Sequence, residues 1–139
     1  MVIPDVNLIV YAFREDTPRH EQALAWLTSR LGDPAEEIII PDLVWVGFLR
    51  ICTNPRIFCE PSSIEETTTF VRTVLAQPFY RMAPPLGIDP LLDLVIESQT
   101  RGDLVTDAYI ASIARQLGAT VATYDRDFRR FDDLRLVTP

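Results

Sequence analysis

The sequence has no lysine: all 13 of its basic residues are arginine. Receiver domains and haloacid-dehalogenase-type phosphatases also place aspartates near strand ends. Both hold the phosphoryl group with a lysine, so both are set aside. A P-loop is excluded as well, because the five glycines are scattered singly and form no GxxxxGK[ST]. There is one histidine, His20, in the first turn of an amphipathic helix. A Ser-His-Asp or Cys-His mechanism would depend on it alone, and its place reads as surface. The two cysteines, Cys52 and Cys59, match neither a CxxC pair nor a zinc-ligand spacing. They read as buried or inert thiols, which suits a reducing cytoplasm. No apolar run is long enough to span a bilayer, and no basic region precedes an apolar run as in a secretory signal. The expectation is a cytoplasmic protein with no membrane partner.

What is present suits one domain spanning residues 1–139, with 47% hydrophobic and 24% charged residues. The formal net charge of −7 weighs against nucleic acid, since phosphate contacts come from basic side chains. Two divalent cations in an acidic site would bring that total to −3 and reopen the question. Arginine suits bidentate phosphate recognition, although a compositional bias of the genome explains its exclusive use equally well.

Along the chain, strand-like and helix-like patterns alternate, predicting an α/β domain. Met1-Val2-Ile3 opens a strand, and the run from Asp5 to Phe13 is apolar at helical spacing. Thr17 and Pro18 read as N-cap and N1 of a second helix that stops near Gly32. Residues 37–40 form a short buried strand, and 42–53 a third helix with Asp42 as its N-cap. A capping-box pattern at Ser62-Ser63 with Glu65-Glu66 starts a fourth helix that ends before Pro78. Residues 79–82 suggest another strand. A helix opens at Asp89-Pro90 and stops at Arg101-Gly102, and the next runs from about Thr106 to Leu117 with Gly118 as its stop. Asp89 and Asp93 read as cap and solvent-facing residues. Residues 121–123 form a strand, 126–131 a short helical turn, and 134–137 an edge strand.

Three carboxylates stand out. Asp5 follows the first strand, Asp125 follows the strand at 121–123, and Asp107 lies in the first turns of a helix whose apolar side includes Ala108, Ile110 and Ala111. In a parallel sheet the carboxyl ends of the strands share one edge, where ligands collect. Acids gathered there would repel and raise one another's pKa unless a cation held them. Oxygen ligands in a chain poor in Cys and His point to Mg2+, with Mn2+ as a substitute, rather than Zn2+. Asn7 either orients the site from the strand-to-helix turn or shares a capping role with Asp5. Arg50 and Arg56 are candidates for phosphate contacts or for surface ion pairs.

The sequence resembles the PIN domain family, specifically the VapC-type toxins of bacterial toxin-antitoxin pairs. The resemblance rests on Asp5-x-Asn7, on Phe48-Leu49-Arg50-Ile51-x-Thr53-Asn54-Pro55-Arg56-Ile57-Phe58, on Gly102-Asp103-Leu104-Val105-Thr106-Asp107-Ala108 and on Thr123-Tyr124-Asp125-Arg126-Asp127-Phe128-x-x-Phe131, in order across nearly the whole chain. It implies a three-layer α/β/α domain with a mainly parallel central sheet. It also implies a Mg2+-dependent endoribonuclease, usually a homodimer, that a cognate antitoxin neutralises by inserting peptide into the active-site groove. Water attack in this family leaves a 5′-phosphate and a 3′-hydroxyl, which needs no histidine.

Carried over by position, the resemblance makes Asp5 and Asp107 metal ligands and Asp125 a further acid of the cluster. Asp127 lies outside them, and Thr123 or Asn7 orients ligands or substrate. On the family's example, the dimer surface is expected among the helices between residues 17 and 51. The RNA target, whether tRNA or another RNA, is set by groove shape and a few arginines.

One departure is visible. The family commonly has a glutamate three residues before the arginine of its third helix, where this chain has Gly47. Asp42 is a poor replacement, since five residues shift it roughly 7.5 Å along a helix and about 140° around it. The departure implies one firmly held metal rather than two, or a ligand from elsewhere such as Asp103. It also motivates an alternative, a PIN-like module that binds antitoxin or RNA without cleaving it.

Overall fold

Five short strands, all parallel, form the centre of the molecule in the order β3-β2-β1-β4-β5. The computed structural model describes residues 1–139. The strands are β1 (Val2–Pro4), β2 (Ile38–Ile39), β3 (Tyr80–Arg81), β4 (Thr120–Ala122) and β5 (Arg135–Val137). Six α-helices connect them: α1 (Val6–Phe13), α2 (His20–Leu31), α3 (Asp42–Cys52), α4 (Ile64–Leu75), α5 (Asp89–Ser98) and α6 (Leu104–Leu117). A 3-10 helix (Arg126–Arg130) lies between β4 and β5.

The chain builds the sheet outward from β1 through β2 to β3, then returns across it to β4 and β5. Right-handed crossovers therefore put α1 to α4 on one face and α5 with α6 on the other, giving three layers. The packing agrees: α1 touches α2 and α3, α3 touches α4, and α5 packs on α6. The strand order reverses between β1 and β4, which makes the gap above their carboxyl ends the topological switch point. Asp5 and Asp125 both follow those two strands.

The central strands are continuous apolar runs buried on both sides, as a covered parallel sheet requires. On the α1–α4 face the core is aromatic. The Phe48 ring meets Phe13 edge-on at 5.2 Å and Phe70 at 5.4 Å, tying α3 to α1 and α4. Cys52 is buried beside them, and burial pushes its thiol up to about 12, so it is inert at neutral pH. Cys59, in contrast, is exposed. No helix is long and apolar enough to cross a membrane.

Several element boundaries differ from the sequence expectation, each for a local reason. Thr17 does not cap α2; its hydroxyl donates to the Arg14 carbonyl at 2.8 Å, closing a turn that delays the helix to His20. Asp42 is the first residue of α3 rather than its cap, the N-cap being Pro41 with no side-chain bond. Asp89 likewise falls inside α5, whose N-cap is Ile88. That helix ends at Gln99, which takes the left-handed conformation (φ 51°), before Gly102 is reached. The freed residues let α6 begin at Leu104. The capping box at Ser63 and Glu66 and the left-handed stop at Gly118 stand as read.

Between residues 17 and 51 the exposed large hydrophobic residues are Leu24 and Val46, and a second exposed set, Ile88 at the N-cap of α5 with Leu92 and Ile96 in it, recurs every four residues.

Candidate active site

Asp5 leaves β1 as the N-cap of α1 and is only 2% exposed. Its Oδ1 accepts the Leu8 backbone N–H at 2.7 Å, the ordinary capping bond. Its Oδ2 accepts the hydroxyl of Thr123, the residue just after β4. Capping and site facing, alternatives for the Asp5/Asn7 pair from sequence, thus coincide in one residue. The Asn7 side chain makes no hydrogen bond and is exposed, although its backbone N–H adds a favourable effect on Asp5.

The bonds continue outward from Thr123. Its Oγ1 also accepts the Asp125 N–H at 2.8 Å, and Asp125 Oδ1 accepts the Asp127 N–H at 2.8 Å, capping the 3-10 helix. The Asp5 N–H donates to the Ala122 carbonyl and the Thr123 N–H to that of Val137. Two hydrogen bonds, from the Thr123 hydroxyl to Asp5 and from the Asp5 N–H to Ala122, therefore lock the loop after β1 to the end of β4. Asp127 holds Asp125 through its backbone, while its exposed side chain faces Arg130 at 3.8 Å.

Asp107 enters from α6, in the first turn, half-buried and without any hydrogen bond. The positive end of the helix favours a charge there, but the surroundings oppose it. Burial, then the charges of Asp125, Asp5 and Asp127, push its carboxyl up to about 7, with Arg130 opposing. Asp5 is pushed up to about 6, chiefly by burial and partly by Asp125, despite its hydrogen bonds. These are the only carboxylates of the chain raised clearly above the ordinary range. No arginine is salt-bridged to Asp5, Asp107 or Asp125. Arg130 is the one cation of the chain that acts on Asp107, and it does so without a salt bridge.

The donors are all oxygens, which suits a hard divalent ion. No three acidic, His or Cys side chains are close enough to hold an ion unaided. Mg2+ needs no all-protein cage, since it keeps several waters and binds through one or two carboxylates plus substrate phosphate. The residues present therefore suit a metal completed by water and substrate.

Gly47 has a structural cause. A Cβ built there would lie 2.9 Å from both γ-methyl carbons of Val6, the residue after Asp5. Any side chain at 47, a glutamate included, requires Val6 to give way. Asp103 is exposed and is not among the charges acting on Asp107. The Arg50 and Arg56 side chains are exposed and make no hydrogen bond or ion pair, while His20 Nδ1 lies 3.1 Å from the Tyr11 carbonyl. Arg19 was not singled out in the sequence, yet its guanidinium lies over the Tyr124 ring, 4.3 Å from the centroid, beside Asp125. No local pattern announces this contact between residues so far apart in the chain.

Residues 2–134 match the family model of the PIN domain. Ribonuclease VapC31 of Mycobacterium tuberculosis is 38% identical over 141 aligned positions, covering 100% of this chain and 99% of that protein. Ribonuclease VapC25 of the same organism is 37% identical over the same span. Among solved structures, VapBC2 from Rickettsia felis bound to a promoter DNA fragment superposes with a TM-score of 0.68 at 18% identity, covering 100% of this chain and 99% of that one. VapC20 of M. tuberculosis, described as a sarcin-ricin loop cleaving toxin, gives 0.69 at 14% identity, covering 97% and 99%. The switch-point carboxylates, the parallel sheet and these similarities agree, and the chain belongs to the PIN domain family, within its VapC branch.

Proposed function

We propose that this protein is a metal-dependent endoribonuclease, the toxin of a toxin-antitoxin pair, with Mg2+ as the working ion. The observation that carries the proposal is that Asp5, Asp107 and Asp125 gather at the switch point near enough for the charge of Asp125 to act on the other two, with no arginine salt-bridged to any of them. The names of the relatives support RNA as the substrate, and VapBC complexes among the structural neighbours support an antitoxin as partner. The same relationship motivates a homodimer.

Asp5 and Asp107 would hold the ion, with Asp125 beside them. A bound Mg2+ would supply an activated water and neutralise charge on the scissile phosphate. The chain's part is geometry. Asp5 cannot rotate, because the Leu8 N–H and Thr123 hydroxyl take both of its oxygens. Asp107 is held only by its helix and adjusts as charge arrives. Asp125 is fixed at one oxygen by the Asp127 N–H and keeps the other free. His20 has no part, its ring being set against the Tyr11 carbonyl.

The test is cleavage of a mixed RNA by the purified, antitoxin-free chain with Mg2+, Mn2+ or EDTA, beside Asp107→Asn. Cleavage that needs both metal and Asp107 is expected. RNA binding without cleavage in every metal would instead favour the binding-module reading, for which Gly47 is the motivating residue.

A further inference from the structure

A recess of about 340 Å3 lies toward the amino ends of the strands, opposite the switch point, and shares no residue with the carboxylate cluster. Strand register builds its floor. Val2, Thr120 and Arg135 are partners across β1, β4 and β5, so their side chains point to one face of the sheet, and Val137, two residues on, joins them. One helix builds its wall: Trp26 and Arg30 of α2, four residues apart, stand one above the other. The space stays open because β5 follows β4 through only the 3-10 helix, and its three residues are all exposed. Two donors here lack acceptors. Arg30 Nη1 is bound to Glu36 at 2.5 Å, yet its Nε is buried with no partner. Such an unmet donor is costly unless something outside the chain supplies an oxygen. The Arg135 side chain makes no hydrogen bond or ion pair.

We propose that this recess binds a small flat-ringed organic anion, its ring against the Trp26 indole and its anionic group between Arg30 Nε and the Arg135 guanidinium. An indole takes a flat ring by offset or edge-on contact, and guanidinium forks match carboxylate and phosphate oxygens alike. Val2 and Val137 supply apolar surface beneath the ring. Glu36 already neutralises Arg30, so the charge left for a ligand to meet is that of Arg135. The volume suits one ring system with its headgroup, not a polymer. Ring and anion together come from two sources, an aromatic carboxylate or a nucleotide.

The test is isothermal titration calorimetry of the full-length chain in EDTA, which keeps metal from the switch point. The probes are 4-hydroxybenzoate and adenosine 5′-monophosphate, with 4-hydroxybenzamide and adenosine as the uncharged rings and inorganic phosphate as the ringless anion. At least one ringed anion is expected to bind, and its counterparts lacking charge or ring should bind about ten-fold or more weakly. Preference for the carboxylate or for the nucleotide identifies the source, and either supports the site. Arg135→Gln should weaken the bound probe about ten-fold and Trp26→Leu about five-fold. Arg101→Gln, a charge-matched change outside the recess, should bind like the parent. No binding of either ringed anion, equal binding by Arg135→Gln, or an equal loss in Arg101→Gln would overturn the site. Binding is read without metal or RNA, so that failure leaves the nuclease standing. The Arg135 side chain is exposed and unpaired, so its variant folds, and the emission of Trp45, the other of the two tryptophans, reports whether Trp26→Leu does.

Discussion

Two acid-rich recesses in this molecule look alike in sequence and differ in physics. One gathers Asp5, Asp107 and Asp125 at the switch point. The other gathers Glu15, Asp16, Glu60 and Glu66 around Arg14. In the second, Arg14 clasps both oxygens of Asp16 at 2.6 and 2.8 Å, donates to the Glu60 carbonyl and Ser62 hydroxyl, and lies 4.1 Å from the Phe58 ring centre. That bidentate bond holds the Asp16 carboxyl below the usual range, and the Ser63 N–H does the same for Glu66. At the switch point the carboxyls are pushed up instead. The contrast teaches that an acidic cluster marks a site only where the fold has left its charges unanswered. The Arg14 cluster is a clamp that fastens the loop before α4 to the end of α1.

The sharpest way to break this comparison is to neutralise one acid in each recess. Asp107→Asn should lower RNA cleavage by about a thousand-fold or more, as loss of a directly acting group does, while Asp16→Asn should leave cleavage unchanged. Equal rates in initial-velocity assays would erase the distinction. Stability should answer in reverse: Arg14→Ala, which removes a part-buried set of hydrogen bonds and the packing on Phe58, should cost about 3 kcal/mol in urea denaturation. A smaller loss is expected from Gly47→Ala, roughly 2 kcal/mol from overpacking against Val6. Combining it with Val6→Ala should restore part of that loss, so the double-mutant cycle should be non-additive.

The smallest effect is in the pH dependence of the metal-free protein. Asp5 and Asp107 titrate higher folded, at about 6 and about 7, than the ordinary 3.8. The folded state keeps protons the unfolded chain has lost, so this contribution is full below pH 4 and fades as pH rises through 6 to 7. Asp107→Asn should therefore gain on the parent between pH 5 and 8, by roughly 1 kcal/mol once solvent screening at this half-exposed group is counted. Mg2+ should raise the parent's Tm at pH 8 more than the variant's. Parallel melting curves for both proteins would expose the absence of such a crossover.

The parts of the fold that depend on local rules were legible in the sequence. Strand ends deliver Asp5 and Asp125, the capping box stands at Ser63, and Gly118 stops α6, because each rests on residues within a few positions. The starts of α2 and α3 were not, because Thr17 and Asp42 had the right chemistry for caps in backbone positions that gave them no N–H to accept. The Thr123 bond to Asp5 spans 118 residues, and the Arg14 bond to Ser62 spans 48. Only the sheet order brings such pairs together, which is why Thr123 was reached through resemblance and the Arg14 clamp and Arg19 stack were not reached at all.

The contact between position 47 and the γ-methyls of Val6 also constrains history. A carboxylate that arrives at 47 by a single substitution meets both γ-methyls of Val6 at 2.9 Å from its Cβ, so Val6 must shift before the new side chain can reach the site. Trimming Val6 first opens a void beside Asp5 before any benefit is gained. Sizes at 6 and 47 are therefore coupled, and a larger residue at one is best matched by a smaller one at the other.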